Sequence, residues 1–415
     1  MELFAAKREP LFIPSAAMGR PEGITVRELL KMGIIPGISG GATGFNQAGD
    51  IITQTQDGMD LNDLWNDYVA LLTTYNSERD RLMSVLTFPV TQVVESVFQG
   101  SGELVDFEEA SEFGVPRGVR VPPLETAFSL AYDFKWYDVG ARFTWKFLAD
   151  AEARQVDILN NAILEADNRL MFTKSMRAVF NNVTRTANIK DQNYNVYPLY
   201  NGDATVPPMY KNVQPSTPHQ HYLVSGGASV DSGDLDEMET HLRHHGFSWQ
   251  NGTQLILLAN SQETAQIRTF RVADGDTYDF IPNTQDPSWA FSIEQLLAMQ
   301  EAAGLRQTPP TTFQGLTVIG RYGPWLIVEE DLIPAGYMLG LASGGDLNPG
   351  NLVGIREHTN AGLRGLRLVK GPNPDYPIIE SYYQRGFGTG IRQRGGGVVM
   401  QVKASGTYDI PAAYA

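Results

Sequence analysis

The chain has 415 residues, no cysteine, a formal net charge of −15 and 42% hydrophobic residues, which is enough apolar material for two or three compact units. The missing cysteines exclude disulfides, thiolate nucleophiles and cysteine-ligated metals and suit a reducing compartment, while the negative charge disfavours sequence-independent binding to nucleic acid, which rests on Lys and Arg neutralising phosphates. No run of about 18 uncharged apolar residues occurs, and the N-terminal MELFAAKREPLF lacks the apolar stretch of a secretory signal, so neither a membrane span nor a secretory route is expected.

Residues 1–59 read as an arm. Pro10, Pro14, Pro21 and Pro36 interrupt regular structure, a short helix opens at the Thr25/Glu28 capping box, and Gly37 to Gly49 is rich in turn residues. Asp60 then caps an amphipathic helix whose stripe is Leu61, Leu64, Trp65, Tyr68, Leu71, Leu72 and Tyr75, and Pro89 is expected to end it.

The period changes to two at Phe128, Leu130, Tyr132, Phe134 and Trp136, so one strand with a buried face is expected there, and Val90 to Phe98 supplies a partner strand. Glycines, prolines and the acids Glu103, Asp106, Glu108, Glu109 and Glu112 fill the connection. The whole reads as a long hairpin with an acidic end. Two strands cannot bury enough surface to stand alone, so the hairpin needs support.

Ala141 to Tyr197 contains neither Gly nor Pro, and Val156, Leu159, Ile163, Ala166 and Leu170 recur at helical spacing. A helix over about residues 150–180 would be some 46 Å long, a spine more than a packing element. Residues 198–350 read as mixed α/β, with helices at Asp234–His245, Ser261–Phe270 and Ser292–Ala303 and strands at Leu255–Ala259, Leu316–Ile319 and Trp325–Val328. After Asn351 strands return, ending with Val398–Val402. The class is α+β.

Charge is unevenly spread. Residues 356–403 hold eight Lys and Arg against three Asp and Glu, +5, whereas residues 1–355 carry −19. Arg385, Arg392 and Arg394 in this basic island are candidates to meet the acidic hairpin of another copy.

Patterns that suggest chemistry fail on context. Gly37-Ile38-Ser39-Gly40-Gly41 matches a nucleophile elbow, but Pro36 sits where its strand should end and Gly40, Gly41 and Gly44 where its helix should begin; a serine hydrolase using Ser39 is a distant alternative. His219 with His221, and His241 with His244 and His245, lack any HExxH or similar frame and read as solvated surface histidines. Arg385-Gly386-Phe387-Gly388-Thr389-Gly390 and Gly395-Gly396-Gly397 lead into a strand, so they read as backbone turns and not phosphate loops. No catalytic residue, metal or cofactor is expected.

The order of parts resembles the major capsid proteins of tailed bacteriophages, the HK97-like fold. Three stretches are similar to capsid proteins of phages of actinobacteria: Asp60-Leu61-Asn62 to Leu86-Thr87-Phe88-Pro89; Arg356-Glu357-His358 with Gly365-Leu366-Arg367-Leu368-Val369-Lys370-Gly371; and Tyr383-Gln384-Arg385-Gly386-Phe387-Gly388-Thr389-Gly390-Ile391-Arg392. The resemblance implies an N-terminal arm and helix at 1–87, an extended loop at 88–140, a peripheral domain at 141–197 plus 351–415, and an axial domain at 198–350. It implies homo-pentamers and homo-hexamers in an icosahedral shell of the virion, assembled in the host cytoplasm and enclosing double-stranded DNA without sequence-specific binding. It also implies a portal, a separate scaffolding protein and a cement or decoration protein as partners. A lysine crosslink on the extended loop, found in some members, is not expected, because residues 32–134 contain no lysine. An encapsulin-like compartment, which shares the fold, is the alternative.

Overall fold

The computed structural model describes residues 52–77, 81–98, 127–208, 210–211, 213, 215–283, 309–371 and 378–415. The expected arm up to residue 51, the acidic stretch Glu103–Glu112 and the helix at Ser292–Ala303 lie outside them. The chain divides into two units. One comprises Met1–Ala70, Gly140–Asn161 and Leu368–Tyr382, the other Leu71–Val139, Ala162–Arg367 and Tyr383–Ala415.

The larger unit is built on a seven-stranded mixed sheet. Its spatial order is Tyr222–Val224, Gly397–Gln401, Tyr337–Ser343, Gln254–Ala259, Trp325–Glu329, Gly320–Tyr322 and Phe280–Pro282. The run Leu255-Ile256-Leu257-Leu258-Ala259 is fully buried, as expected of a strand covered on both faces. Because successive side chains point to opposite faces, this one strand serves two cores. Ile256 and Leu258 join Leu326, Val328, Leu339 and Leu341 on one side. Leu255, Leu257 and Ala259 join Trp325, Ile327 and Met338 on the other.

The helix Ser232–His244 covers the second face through Leu235, Met238 and Leu242. It starts at a capping box in which Asp231 and Asp234 exchange side-chain-to-backbone bonds at 3.0 Å. The first face takes Leu82, Val85 and Leu86 of the short helix Arg81–Leu86, and Met176, Val179 and Phe180 from the last turn of the long helix Ala153–Phe180.

That long helix has 28 residues, about 42 Å at 1.5 Å per residue. It starts three residues later than expected, after a separate short helix Trp145–Asp150. Its buried stripe also differs from the expected one: Ala153, Val156, Asn160, Ile163 and Asp167 are buried, while Leu159 is 37% exposed. Apolar spacing located the helix but not its inward face, because two of the inward positions are polar.

A second sheet runs Thr87–Val90, Val353–Arg356, Ile378–Ile391, Leu366–Lys370, with Asp133–Thr144 also pairing with Ile378–Ile391. Four expectations need correction here. The helix begun at Asp60 ends at Ser77, a second one spans Arg81–Leu86, and Phe88 and Pro89 are already in a strand. Residues 351–415 do not stay together, since Gly397–Gln401 lies inside the seven-stranded sheet between Tyr222–Val224 and Tyr337–Ser343.

The run from Phe128 to Trp136 is two strands, Ala127–Ala131 and the start of Asp133–Thr144, hinged at fully buried Tyr132. Finally, Gly386, Gly388 and Gly390 are no turn: they sit in the 14-residue strand Ile378–Ile391. The reason is close approach. A Cβ on Gly388 would stand 2.6 Å from the Asp133 carbonyl oxygen, and one on Gly390 2.8 Å from the Tyr132 ring.

Candidate assembly surface

The hairpin expected at residues 88–140 is present at its base, where Val94–Phe98 pairs antiparallel with Ala127–Ala131, Val94 opposite Ala131 and Phe98 opposite Ala127. The base rests on its own chain. Ala131 and Val94 pack with Ala187, Ile189, Tyr194 and Val196 of a second hairpin, Arg185–Ile189 with Gln192–Val196. Lys190 and Asp191 turn that hairpin at positive φ, 50° and 63°, as a tight two-residue connection requires.

A polar clamp locks the hairpin base. The Tyr132 hydroxyl donates to Glu95 Oε2 at 2.7 Å, and Arg392 Nη2 reaches Glu95 Oε1 at 3.3 Å. The Arg392 guanidinium also lies over the Phe88 ring, 5.5 Å from its centroid. Burial, reinforced by the Glu95 carboxylate, pushes the Tyr132 phenol far above its ordinary value, so the hydroxyl keeps its proton and remains the donor.

The other two arginines singled out from the sequence are also engaged within their own chain. Arg385 Nε donates to Asp167 Oδ1 at 2.6 Å, and the Tyr75 hydroxyl donates to the other oxygen of that carboxylate at 2.8 Å. Arg394 is 3% exposed. Its guanidinium donates to the carbonyls of Pro198 and Leu199, to Asp203 Oδ2 at 2.8 Å and to the Thr205 hydroxyl, and stacks over Tyr197 and Tyr200.

Arg394 is therefore withdrawn as an outward-facing contact, because a cation desolvated and bonded on every side offers no field to a neighbour. Arg364 and Arg367 are only partly buried and take backbone and amide oxygens of His358, Thr359, Gly362 and Gln384. Lys370 is exposed, and with Arg364 and Arg367 it is among the cations of the island nearer the surface.

The sequence reading misplaced His219 and His221. His219 is 3% and His221 0% exposed, so they are not solvated surface groups. Burial holds the imidazole of His219 down to about 4 and that of His245 to about 3, and holds His221 well below its ordinary value too.

No protein-family model matches the chain, and no curated protein matches it. Among solved structures it is similar to one from Mycobacterium phage Patience, with 46% identity over 90% of this chain and 96% of that one and a TM-score of 0.65. This chain belongs to the major capsid proteins of tailed bacteriophages. At far lower identity it is similar to the capsid of a native GTA particle (12%, 78% of this chain and 91% of that one, TM-score 0.43) and to the bacteriophage PhiM1 mature capsid (10%, 79% and 89%, TM-score 0.45).

The capsid protein leaves a distinctive surface on its smaller unit. Val69 is 43%, Phe147 40%, Ile158 61% and Leu159 37% exposed there, and Phe147 stacks on Phe143 with ring centroids 5.8 Å apart. In the larger unit, strand Asp133–Thr144 opens with Trp136 44% exposed, braced edge-on against Phe134 at 5.4 Å. Sequence alternation placed Trp136 on a buried face. Gly386 lies directly beneath it, a Cβ there meeting its ring at 2.6 Å, so the indole lies across a strand and stays open on its outer side.

Proposed function

We propose that this capsid protein assembles into pentamers and hexamers of an icosahedral virion shell around double-stranded DNA, built in the host cytoplasm on a separate scaffolding protein, with a portal and a cement or decoration protein as further partners. Its role is mechanical, and no reaction of its own is assigned. The observation that supports this most is the 46% identity to the Mycobacterium phage Patience structure over nine-tenths of the chain. The net charge of −15 suits a wall that encloses DNA without adhering to it.

In this reading residues 1–87 are the arm and first helix, 88–140 the extended loop, 141–197 with part of the C-terminal segment the periphery, and 198–350 the axial portion, joined by the last strand. Apolar side chains that a lone subunit leaves in water, Ile158, Leu159 and Phe147 among them, are covered in the shell. Burial at about 25 cal/mol per Å² of apolar surface offsets the ordering entropy of assembly.

The acids Glu103, Asp106, Glu108, Glu109 and Glu112 are assigned to contact the basic island of a neighbouring subunit. Arg364 and Arg367 take the place of Arg394 in that contact, and Arg385 and Arg392 contribute only if they exchange their own-chain partners. Each surface pair is worth about 0–1 kcal/mol, so the contact acts through its sum and its salt dependence.

Electron microscopy and light scattering of the purified chain across concentration and salt test the reading. Closed shells, tubes or capsomers above a threshold concentration are expected. A monomer at every condition, unchanged by adding the scaffolding protein, would overturn it. Glu108→Lys with Glu109→Lys should raise the threshold at low salt and have little effect at high salt; an identical salt response to the parent would remove the charge contact while leaving the shell reading intact.

A further inference from the structure

Five of the six histidines of this chain gather in one place, and three of them converge atom by atom. His219 Nε2 lies 3.0 Å from His245 Nε2, His221 Nε2 lies 3.0 Å from His219 Nε2, and His221 Nε2 lies 3.1 Å from His245 Nε2.

The local structure explains the convergence. Residues 219 and 221 sit two apart on an extended segment leading into strand Tyr222–Val224, held by bonds from Gly202 N to the His219 carbonyl and from His221 N to the Tyr200 carbonyl, so both rings fall on one side. His245 is the C-cap of the helix Ser232–His244. Gly246 follows at φ 83°, the left-handed residue that lets the chain turn away there. Tyr200 stacks flat against the His245 ring, 5.3 Å between centroids and 11° between planes. A Cβ at Gly395 would collide with that ring. Gly395, the first of the triple glycine idle in any phosphate-loop reading, is what gives the His245 imidazole room.

Hydrogen accounting decides what belongs at the centre. His221 Nδ1 stands 2.6 Å from the Gly397 carbonyl oxygen. A carbonyl only accepts, so Nδ1 carries the hydrogen and the neutral ring turns a bare lone pair inward at Nε2. With His221 Nε2 bare, neutral rings bring at most two hydrogens to the three contacts, so at least one pair of nitrogens meets at 3.0–3.1 Å with no hydrogen bond between them. A buried imidazolium is disfavoured by desolvation. A cation equidistant from the three nitrogens satisfies all of them.

We propose that His219, His221 and His245 bind a divalent zinc ion through their Nε2 atoms. Around tetrahedral zinc, nitrogen ligands stand about 2.0–2.1 Å from the ion and so about 3.3 Å from one another, close to the spacing already present. Three neutral imidazoles suit zinc better than magnesium or calcium, which take oxygen. The carbonyl of Gly397 acts as an outer partner to His221, fixing its tautomer and ring orientation as carbonyls do behind metal-ligating histidines. The site clips the segment before strand Tyr222–Val224 to the end of the helix Ser232–His244. Through Gly397 it also reaches the start of the adjacent sheet strand.

The test is zinc content of the untagged full-length chain after incubation with zinc chloride and exhaustive passage into metal-free buffer, read by elemental analysis, with cobalt chloride as the spectroscopic probe. About one zinc per chain is expected, together with intense visible d–d bands for cobalt that zinc displaces. His245→Asn and His221→Ala should each lose at least tenfold in retained zinc, whereas His241→Ala and His358→Ala should retain it. Zinc should raise the melting midpoint of the parent and not that of His245→Asn. Should the triad variants fail to fold, the parent's cobalt spectrum and zinc stoichiometry still decide. A parent that retains less than about a tenth of an equivalent, or octahedral cobalt bands, or full zinc retention in a folded His245→Asn chain would each overturn the site.

Discussion

The two units of this capsid protein are stabilised in opposite ways. The larger carries a sheet covered on both faces, in which Leu255 through Ala259, Ile327, Met338, Leu339, Val398, Val399 and Met400 are wholly buried. In the smaller, Leu64, Leu148 and Val156 are buried while Phe147, Ile158 and Leu159 are exposed. The first is a folding core; the second keeps apolar side chains exposed, the face proposed to be covered in the shell. A lattice subunit needs both: one part must hold its shape before assembly, and another must keep apolar area in reserve for it.

Substitutions should separate the two. Trp325, 1% exposed with its indole nitrogen donating to the Leu235 carbonyl at 3.3 Å, carries the largest effect: Trp325→Ala should cost about 3–5 kcal/mol of subunit stability and abolish soluble capsomers, as read by chemical denaturation.

The pair Asp167–Arg385, with side chains 4% and 11% exposed, follows. Arg385→Met should cost up to about 3–5 kcal/mol because it strands a desolvated carboxylate. Adding Asp167→Asn should recover part of that loss. If the two costs simply add, the pair is not coupled.

Gly388→Ala drives a Cβ towards the Asp133 carbonyl and should cost about 1–3 kcal/mol through overpacking, seen as a lower melting midpoint. At the other extreme, Ile158→Ser with Leu159→Ser should change subunit stability by about 0.5 kcal/mol or less while raising the threshold concentration for assembly in light scattering. An unchanged threshold would mean that this face is not covered in the shell.

Much of the fold was legible in sequence because it is written in local periodicity. The helix Ser232–His244, the strands Gln254–Ala259 and Trp325–Glu329 and the long helix Ala153–Phe180 all follow from apolar spacing and caps. The errors fall where a distant residue overrules local pattern. Glycines 386, 388 and 390 read as turns because Tyr132, Asp133 and Trp136, some 250 positions away, are invisible to a local window. Trp136 read as buried because alternation names a face without saying what covers it. Arg394 read as surface charge because its acceptors, Pro198, Leu199 and Asp203, lie nearly 200 positions upstream.

The histidines show the same limit most sharply. Sequence grouped His241, His244 and His245 by proximity, whereas the structure selects His219, His221 and His245. The spacing of 219 and 221 on an extended segment was a usable signal, but nothing local pointed to a helix end 24 residues on.

By itself the sequence determined the α+β class, the main helices and several of the strands, the absence of disulfides and the sign of the charge, because propensity, periodicity and composition act over a few residues or over the chain as a whole. Only the tertiary structure decided which arginines are spent inside the subunit, which apolar side chains stay in water and which imidazoles meet. Those outcomes depend on desolvation and close approach between segments far apart in the chain, and both are set when the sheets pack.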